Sequence, residues 1–272
     1  MNALGMPDPQ ALNPMLKVPI FYYHSIGNQG PETLSLARFR RHLELIRAKN
    51  FQPITFSRLL SLDFKDPGPY LVLSFDDGLL DNFENAAPLL QEFGFPATFF
   101  VIPGFDEVVR WVNPKTRAWS ESKSEGFTIP FPSMQKHHRR QLHEAGMEIG
   151  CHTMHHRKLN EIPPTQYGHE IADSKALLED QLGAEVSTFC YPKGRYNQKV
   201  LGWVQKSGYR GACTTMPAYY GQGTDRYECG RFLVENPKLF TRILRWASPE
   251  CQWTGPFCRA LGFPLKVKNT FF

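Results

Sequence analysis

Short apolar runs alternate along the chain with longer stretches whose apolar residues recur every three or four positions. Most of the short runs are apolar throughout, as in strands buried on both faces of a parallel sheet. The runs cover residues 18–23, 69–75, 96–102, 147–151, 187–192, 209–213 and 231–234. The stretches between them have the period of amphipathic helices. This alternation predicts an α/β fold, with a parallel sheet of about seven strands and helices outside it.

Cap and breaker residues mark the ends of the predicted helices. Ser35 is a good N-cap, and Asn50 is a good stop for the helix between them. The apolar face of that helix consists of Leu36, Phe39, Leu43 and Ile46. Pro88 lies inside the next helical stretch, so it should kink that helix or lie near its start. Residues 103–132 are rich in polar residues, glycine and proline, and they predict a long inserted loop.

The composition is that of a globular protein of 272 residues, with 42% hydrophobic and 21% charged residues. The net charge of +5 comes from lysines and arginines spread along the chain, without a nucleic-acid-binding motif. No apolar run is long enough to span a membrane, and the N-terminus lacks the pattern of a signal peptide. We therefore expect a cytoplasmic protein that does not bind nucleic acid.

Six cysteines occur without any C-x-x-C pair, which argues against a zinc ribbon. Three of them, Cys151, Cys190 and Cys213, end predicted strands. Buried free thiols are the favoured interpretation, and disulfides are the alternative.

Chemically specific residues follow four of the predicted strands. They are His24, the pair Asp76 and Asp77, His152, and the pair Tyr191 and Pro192. A closed parallel barrel gathers its functional residues at the carboxyl ends of its strands. If the sheet closes, these residues should face one another.

The sequence "HTMHH" carries His152, His155 and His156 within five residues. Imidazoles at a strand end can bind a transition metal, and Asp76 or Asp77 can supply a carboxylate ligand. Taken separately, the histidines fit an exposed loop and "DDG" fits an ordinary turn. Their combination favours a metal site.

Two motifs resemble those of the NodB-type polysaccharide deacetylases, the family-four carbohydrate esterases. "SFDDG" (74–78) resembles the first motif of that family and "HTMHH" (152–156) the second. "FCYPKGRYN" (189–197) is similar to the third motif, R-x-P-Y-G, and the resemblance covers about residues 17–236. It implies an irregular (β/α)7 barrel.

The resemblance also implies roles for individual residues. Asp77, His152 and His156 would bind a divalent metal ion, Asp76 would be the general base, and His155 would not be a ligand. Zinc is the expected metal, although cobalt, nickel or iron would fit the same ligands.

Two positions depart from the family pattern. The family's late-motif histidine is missing, because no histidine follows His169. One subgroup, the poly-N-acetylglucosamine deacetylases, has Y-H-x-I near the N-terminus, which Tyr23-His24-Ser25-Ile26 resembles. We therefore expect His24 to be the general acid. A strand-end histidine held by local hydrogen bonds is the alternative.

The third motif departs from the pattern because Cys190 stands where the family has arginine, and Lys193 where it has an aromatic residue. Arg231 is our candidate to replace that arginine beside Asp76. By analogy, the Tyr191 N–H would stabilise the oxyanion. The expected substrate-binding residues are Tyr191, Pro192, Lys193 and Arg231.

The resemblance divides the chain into an extension at 1–16, a deacetylase barrel at 17–236 and a C-terminal extension at 237–272. This last segment mixes aromatic and basic residues, which predicts either a helix packed on the barrel or a peripheral membrane contact. The expected function is removal of an N-acetyl group from an amino sugar in a glycan or its precursor. The alternatives are hydrolysis of another amide, including a lipid-linked one, and an inactive carbohydrate-binding barrel.

Overall fold

In the computed structural model, seven strands are hydrogen-bonded side by side in one parallel sheet. The structure describes residues 17–27, 33–63, 68–234 and 237–248. Its strands are β1 (Ile20–Tyr23), β2 (Ser25–Ile26), β3 (Thr33–Leu34), β4 (Gln52–Ile54), β5 (Tyr70–Phe75), β6 (Thr98–Val101), β7 (Val109–Val112), β8 (Trp119–Ser120), β9 (Ile129–Pro132), β10 (Glu148–Cys151), β11 (Thr188–Cys190), β12 (Gly211–Cys213) and β13 (Phe232–Leu233). Its α-helices are α1 (Leu36–Ala48), α2 (Phe56–Leu59), α3 (Ala87–Phe93), α4 (Lys136–Glu144), α5 (Ser174–Leu182), α6 (Gln198–Lys206) and α7 (Pro237–Ala247).

The strand order of the sheet is β12-β11-β10-β6-β5-β1-β13, and β4 pairs with the first half of β5. Both ends of this path meet the same stretch of chain. The Cys229 N–H donates to the carbonyl of Ala212, and its carbonyl accepts from the Thr214 N–H, while β13 pairs with β1. The eight-stranded sheet therefore curls round, in agreement with the (β/α) barrel that the resemblance implies.

Successive residues of each strand face opposite sides of the curled sheet. On β5, Leu71, Leu73 and Phe75 belong to the core cluster between the sheet and the helices, whereas Val72 belongs to a smaller cluster inside the curl. Both faces are apolar, which explains why the strands appear in the sequence as continuous apolar runs.

Most of the predicted helix signals are confirmed. The Ser35 hydroxyl caps α1, and Asn50, with φ 54°, lies just beyond its end. Pro88 is in the first turn of α3, directly after a π-helical turn at Asn82–Ala86, so the helical stretch changes its hydrogen-bond pattern where the proline lacks an N–H. The assignment of Leu36 to the buried face is wrong, because this first residue of α1 is 43% exposed at the end of the helix.

The segment 103–132 is more ordered than the predicted loop. It contains a three-stranded antiparallel sheet in the order β8-β7-β9. Val112 and Phe131 of this sheet are buried with Leu79, which follows β5. The strands are short and their surroundings polar, so no apolar run reveals them. The inserted sheet therefore packs beside the carboxyl end of β5, where the candidate site lies.

The first part of the C-terminal extension is a helix on the barrel. Phe240 and Leu244 of α7 are buried, and the Phe240 ring lies 4.7 Å from that of Phe21. This agrees with the helical interpretation, and the aromatic residues beyond 248 lie outside the described residues. No helix in the part of the chain that the structure describes could cross a bilayer.

The described cysteines match the favoured interpretation of the sequence. Cys151, Cys190, Cys213 and Cys229 are buried free thiols. Cys251 and Cys258 lie outside the described residues.

Candidate active site

The ladder between β1 and β5 brings His24 beside the acidic pair. Tyr23 and Phe75 are register partners, so His24 and Asp76 follow neighbouring positions on paired strands. The Asp76 N–H also donates to the Tyr23 carbonyl at 2.9 Å. His152 enters the same edge of the sheet, because its N–H donates to Val101 of β6 at 2.8 Å. The topology thus brings residues from separate motifs to one end of the barrel.

Asp77, His152 and His156 converge on one point. The Asp77 Oδ1 atom lies 3.3 Å from the His156 Nε2 and 3.5 Å from the His152 Nε2. It is buried and has no hydrogen-bond donor among the described residues. A buried carboxylate oxygen facing two imidazole nitrogens is a suitable donor set for a divalent ion of the zinc type. The residues present therefore fit the metal that the sequence predicts.

The ring of His152 is oriented by a backbone carbonyl. Its Nδ1 lies 2.8 Å from the Cys190 oxygen, so Nδ1–H donates there and Nε2 is left to face Asp77. The backbone around the three candidate ligands is also unusual. Asp77, Thr153 and His156 adopt positive φ angles of 74°, 65° and 55°. Such conformations are costly for non-glycine residues and cluster at functional sites.

Burial and charge set the protonation of these groups. Burial raises the pKa of Asp77, but the adjacent Arg110 guanidinium, with smaller contributions from the neighbouring histidines, outweighs it and holds that pKa well below its usual range. Burial lowers the pKa of His156 to about 4, which keeps its ring neutral, as a metal ligand must be. Burial also lowers the pKa of His152, but Cys190 and the nearby Asp77 carboxylate outweigh it, so that pKa lies well above the usual value, and a metal ion bound at Nε2 would have to displace this proton.

His155 lies apart from the triad, in agreement with its expected role. Its Nδ1 is 3.3 Å from Oε1 of Glu170, and its backbone N–H donates to Oε2 at 3.0 Å. Glu170 is buried on the helical turn before α5. Glu170 carries no signal in the sequence, since an acidic residue in a helix usually faces solvent.

Asp76 is bound by Arg231. The Nη1 and Nη2 atoms of Arg231 donate to the two carboxylate oxygens of Asp76, each at 2.7 Å. Arg231 is fully buried, and it also donates to the Thr214 carbonyl and the Ser74 hydroxyl. Burial raises the pKa of Asp76, but the charge and hydrogen bonds of Arg231 outweigh it, so the net shift is downward. Asp76 is therefore an anion at neutral pH.

A second group of potential metal ligands, Asp76, His152 and Cys190, lies beside the first. Here a cation is already present, because Arg231 bonds both oxygens of Asp76 and its Nη2 lies 3.0 Å from the Cys190 sulfur. The orphaned oxygen of Asp77 thus makes the triad with His152 and His156 the better metal site.

Two expectations for the third motif need correction. The Tyr191 N–H donates to the Cys213 carbonyl at 3.1 Å, within the ladder between β11 and β12, so it is not available to an oxyanion. Arg231 was grouped with the substrate-binding residues, but its guanidinium lies buried behind Asp76. Tyr191 and Pro192 are buried as well, whereas Lys193 is exposed.

A helical turn after the acidic pair holds the loop of His24. The Asn82 side chain donates to the His24 carbonyl at 2.7 Å, and the Asn85 side chain donates to the Ile26 carbonyl at 2.7 Å. The Ser25 hydroxyl donates to Asp81 at 2.6 Å. These polar residues belong to or directly precede a π-helical turn, Asn82–Ala86, and such turns are frequent at functional sites. The helical turn that follows the acidic pair and the loop of His24 are therefore joined by side-chain hydrogen bonds.

Arg110 is a further residue that the sequence analysis missed. It comes from β7 of the inserted sheet, and its Nη1 lies 3.1 Å from Oδ2 of Asp77. An arginine within a polar segment gives no signal of its own. Its ion pair with Asp77 depends on the packing of the inserted sheet beside β5, which no local motif encodes.

Comparison with known proteins gives a family and a fold. The family model of polysaccharide deacetylases matches residues 64–212, more than half of the chain. A relative in Bacillus subtilis strain 168, the putative polysaccharide deacetylase YxkH, is 29% identical over 226 residues, which are 80% of this chain and 71% of that protein.

Solved structures of similar fold include the Streptococcus pyogenes deacetylase PplD, in complex with acetate, and IcaB from Ammonifex degensii. PplD has a TM-score of 0.70 and 21% identity, covering 86% of this chain and 98% of its own. IcaB has a TM-score of 0.70 and 22% identity, covering 85% of this chain and 97% of its own. At these identities the likeness supports the fold alone, and it agrees with the barrel described above.

Proposed function

The chain belongs to the polysaccharide deacetylase family, and from that premise we propose that it is a metal-dependent hydrolase of N-acetylated amino sugars. The proposed reaction breaks the acetamide C–N bond with water and yields acetate and a free amine. One observation carries the proposal: a candidate metal triad, an ionised carboxylate and a histidine follow neighbouring strands at one end of the barrel. Each is a group that amide hydrolysis by activated water requires.

Asp77, His152 and His156 are the proposed ligands of the metal. A divalent ion held there would lower the pKa of a bound water from about 15.7 to near 7 and would polarise the acetamide carbonyl. The buried oxygen of Asp77 and the oriented Nε2 of His152 support this assignment.

Asp76 is the proposed general base. Its carboxylate takes a proton from the attacking water as the oxygen–carbon bond forms. The low pKa that Arg231 imposes keeps Asp76 ready to accept that proton at neutral pH. Each carboxylate oxygen has two lone pairs, so both can bond Arg231 and still accept a proton.

His24 is the proposed general acid, which gives its proton to the leaving amine as the C–N bond breaks. Its position next to Asp76 across the ladder between β1 and β5 supports the assignment. Burial raises the pKa of Asp76 and Arg231 lowers it, and His24 makes a smaller contribution to the lowering. The side chains of His24 and Asp76 therefore lie within electrostatic reach of each other.

Acetate release from N-acetylglucosamine oligomers tests the proposal. Metal-loaded protein should release acetate, and chelator-treated protein should not. Asp76→Asn is the matched control. It keeps the proposed metal ligands and lacks the proposed base, so it should bind metal and release no acetate. Metal binding without acetate release from any N-acetyl sugar would favour a different amide substrate or an inactive binding barrel.

A further inference from the structure

Arg110 bonds the candidate metal ligand Asp77 at two points. Its Nη1 donates to the carboxylate Oδ2 at 3.1 Å, and its Nη2 donates to the Asp77 backbone carbonyl at 3.2 Å. Both side chains are buried, with 6% and 7% exposure. This pairing fixes the rotation of the carboxylate relative to its own backbone.

The two oxygens of Asp77 consequently have different environments. Oδ2 faces the guanidinium, whereas Oδ1 faces the Nε2 atoms of His152 and His156 and has no hydrogen-bond donor among the described residues. A carboxylate can bind a divalent ion through one oxygen or through both. With Arg110 in place, Oδ1 is directed at the site and Oδ2 is directed away from it.

Arg110 is itself held by the inserted sheet. Its guanidinium carbon lies 5.5 Å from the centre of the Phe105 ring and 5.1 Å from that of the Trp119 ring. Arginine commonly packs on aromatic faces in this way. Both aromatic residues belong to the 103–132 segment, so that segment sets the position of the arginine.

We propose that Arg110 is a positioning residue that restricts Asp77 to one-oxygen coordination of the metal. The inference rests on the metal site of the proposed function. Its consequence is chemical: each ligand position that Asp77 does not occupy stays open for water and for the substrate carbonyl, and catalytic metal sites need open positions. The inserted sheet thereby acts on the metal without contacting it.

Cobalt-loaded protein provides the test, since the visible absorption of Co²⁺ weakens as its coordination number rises. Arg110→Met should free Oδ2, raise the coordination number by one and weaken the absorption. Arg117→Met is the matched control, because Arg117 is an exposed arginine of the same segment. Its spectrum should equal that of the wild type. Crystal structures of the cobalt-loaded wild type and Arg110→Met should show one and two Asp77 oxygens on the metal, respectively.

Two results would overturn the inference: both Asp77 oxygens on cobalt in the wild type, or an Arg110→Met spectrum identical to that of the wild type. If Arg110→Met does not fold, the wild-type cobalt structure still decides the number of bound oxygens. If the wild type binds no cobalt, the metal site of the proposed function fails as well. Binding through both oxygens would leave that site intact and remove only the role of Arg110.

Discussion

Arg231 and Asp76 form a fork-to-fork ion pair, with both hydrogen bonds at 2.7 Å, although 155 residues separate them in the chain. The sulfur of Cys190, the residue at the position of the family's third-motif arginine, lies 3.0 Å from the same guanidinium. An arginine from the chain just before β13 thus reaches the carboxylate that the motif arginine would be expected to hold. This geometry supports the hypothesis that Arg231 takes over that role.

Replacing Arg231 should shift the pH dependence of catalysis. Arg231 lowers the pKa of Asp76, so Arg231→Met should raise it, and the base should become protonated at a higher pH. The acid limb of kcat/KM should therefore move to higher pH, because the carboxylate loses the neighbouring positive charge that favours its ionised form. Arg231→Lys keeps a charge and should shift less. A profile that does not move would contradict the role of Arg231.

The same substitution should also destabilise the fold. Arg231→Met leaves a buried carboxylate without its partner, which should cost about 3–5 kcal/mol of unfolding free energy. Urea unfolding of the wild type and the variant measures the difference. Arg40→Met is a suitable control, because it breaks a two-bond pair with Glu92 at a partly exposed surface. Equal losses in the two variants would show that burial of the Asp76 pair adds nothing.

His24 should be needed for proton donation and not for metal binding. His24→Gln should lower kcat by about 10²- to 10⁴-fold, because the leaving amine then lacks its proton donor. The metal content should be unchanged. Asn82→Ala should lower kcat less and also retain metal, since it removes the bond to the His24 carbonyl but leaves the imidazole. Loss of metal in either variant would argue that these residues hold the site and not the proton.

The strands and the acidic pair were predictable because their signals are local. Continuous apolar runs mark β1, β5 and β6, and "DDG" and "HTMHH" each place their side chains within a few residues. The pairing of Arg231 with Asp76 was only a hypothesis, and Arg110 was missed. Both depend on how distant segments pack, and an isolated arginine has the same sequence signature whether it is buried or exposed.

The expectation that the Tyr191 N–H stabilises the oxyanion was wrong for a related reason. Motif analogy places this residue correctly at a strand end but does not show which backbone groups the next strand uses. In the structure the Tyr191 N–H donates to the carbonyl oxygen of Cys213 in β12. Ladder hydrogen bonds are satisfied by neighbours far away in the chain, so they cannot be assigned from one motif.

A membrane contact is the alternative interpretation of the C-terminal extension, and its test needs a truncation that spares α7. Phe240 packs against Phe21 and stacks on His42 with ring centres 4.0 Å apart, so deletion from residue 237 would disturb the core. A chain ending at residue 248 keeps these contacts. If the extension contacts membranes, anionic liposomes should pellet the full chain and not the 1–248 chain. Equal pelleting would end the membrane proposal.

The division of labour within the acidic pair is the central claim, and metal content measured together with acetate release tests it most directly. Asp76→Asn should retain about the wild-type amount of metal and lose acetate release, because it removes the base and leaves the ligands. Asp77→Ala should lose both metal and activity, because it removes the buried oxygen that faces His152 and His156. If Asp77→Ala kept its metal, or if Asp76→Asn kept its activity, the two roles assigned here would be contradicted.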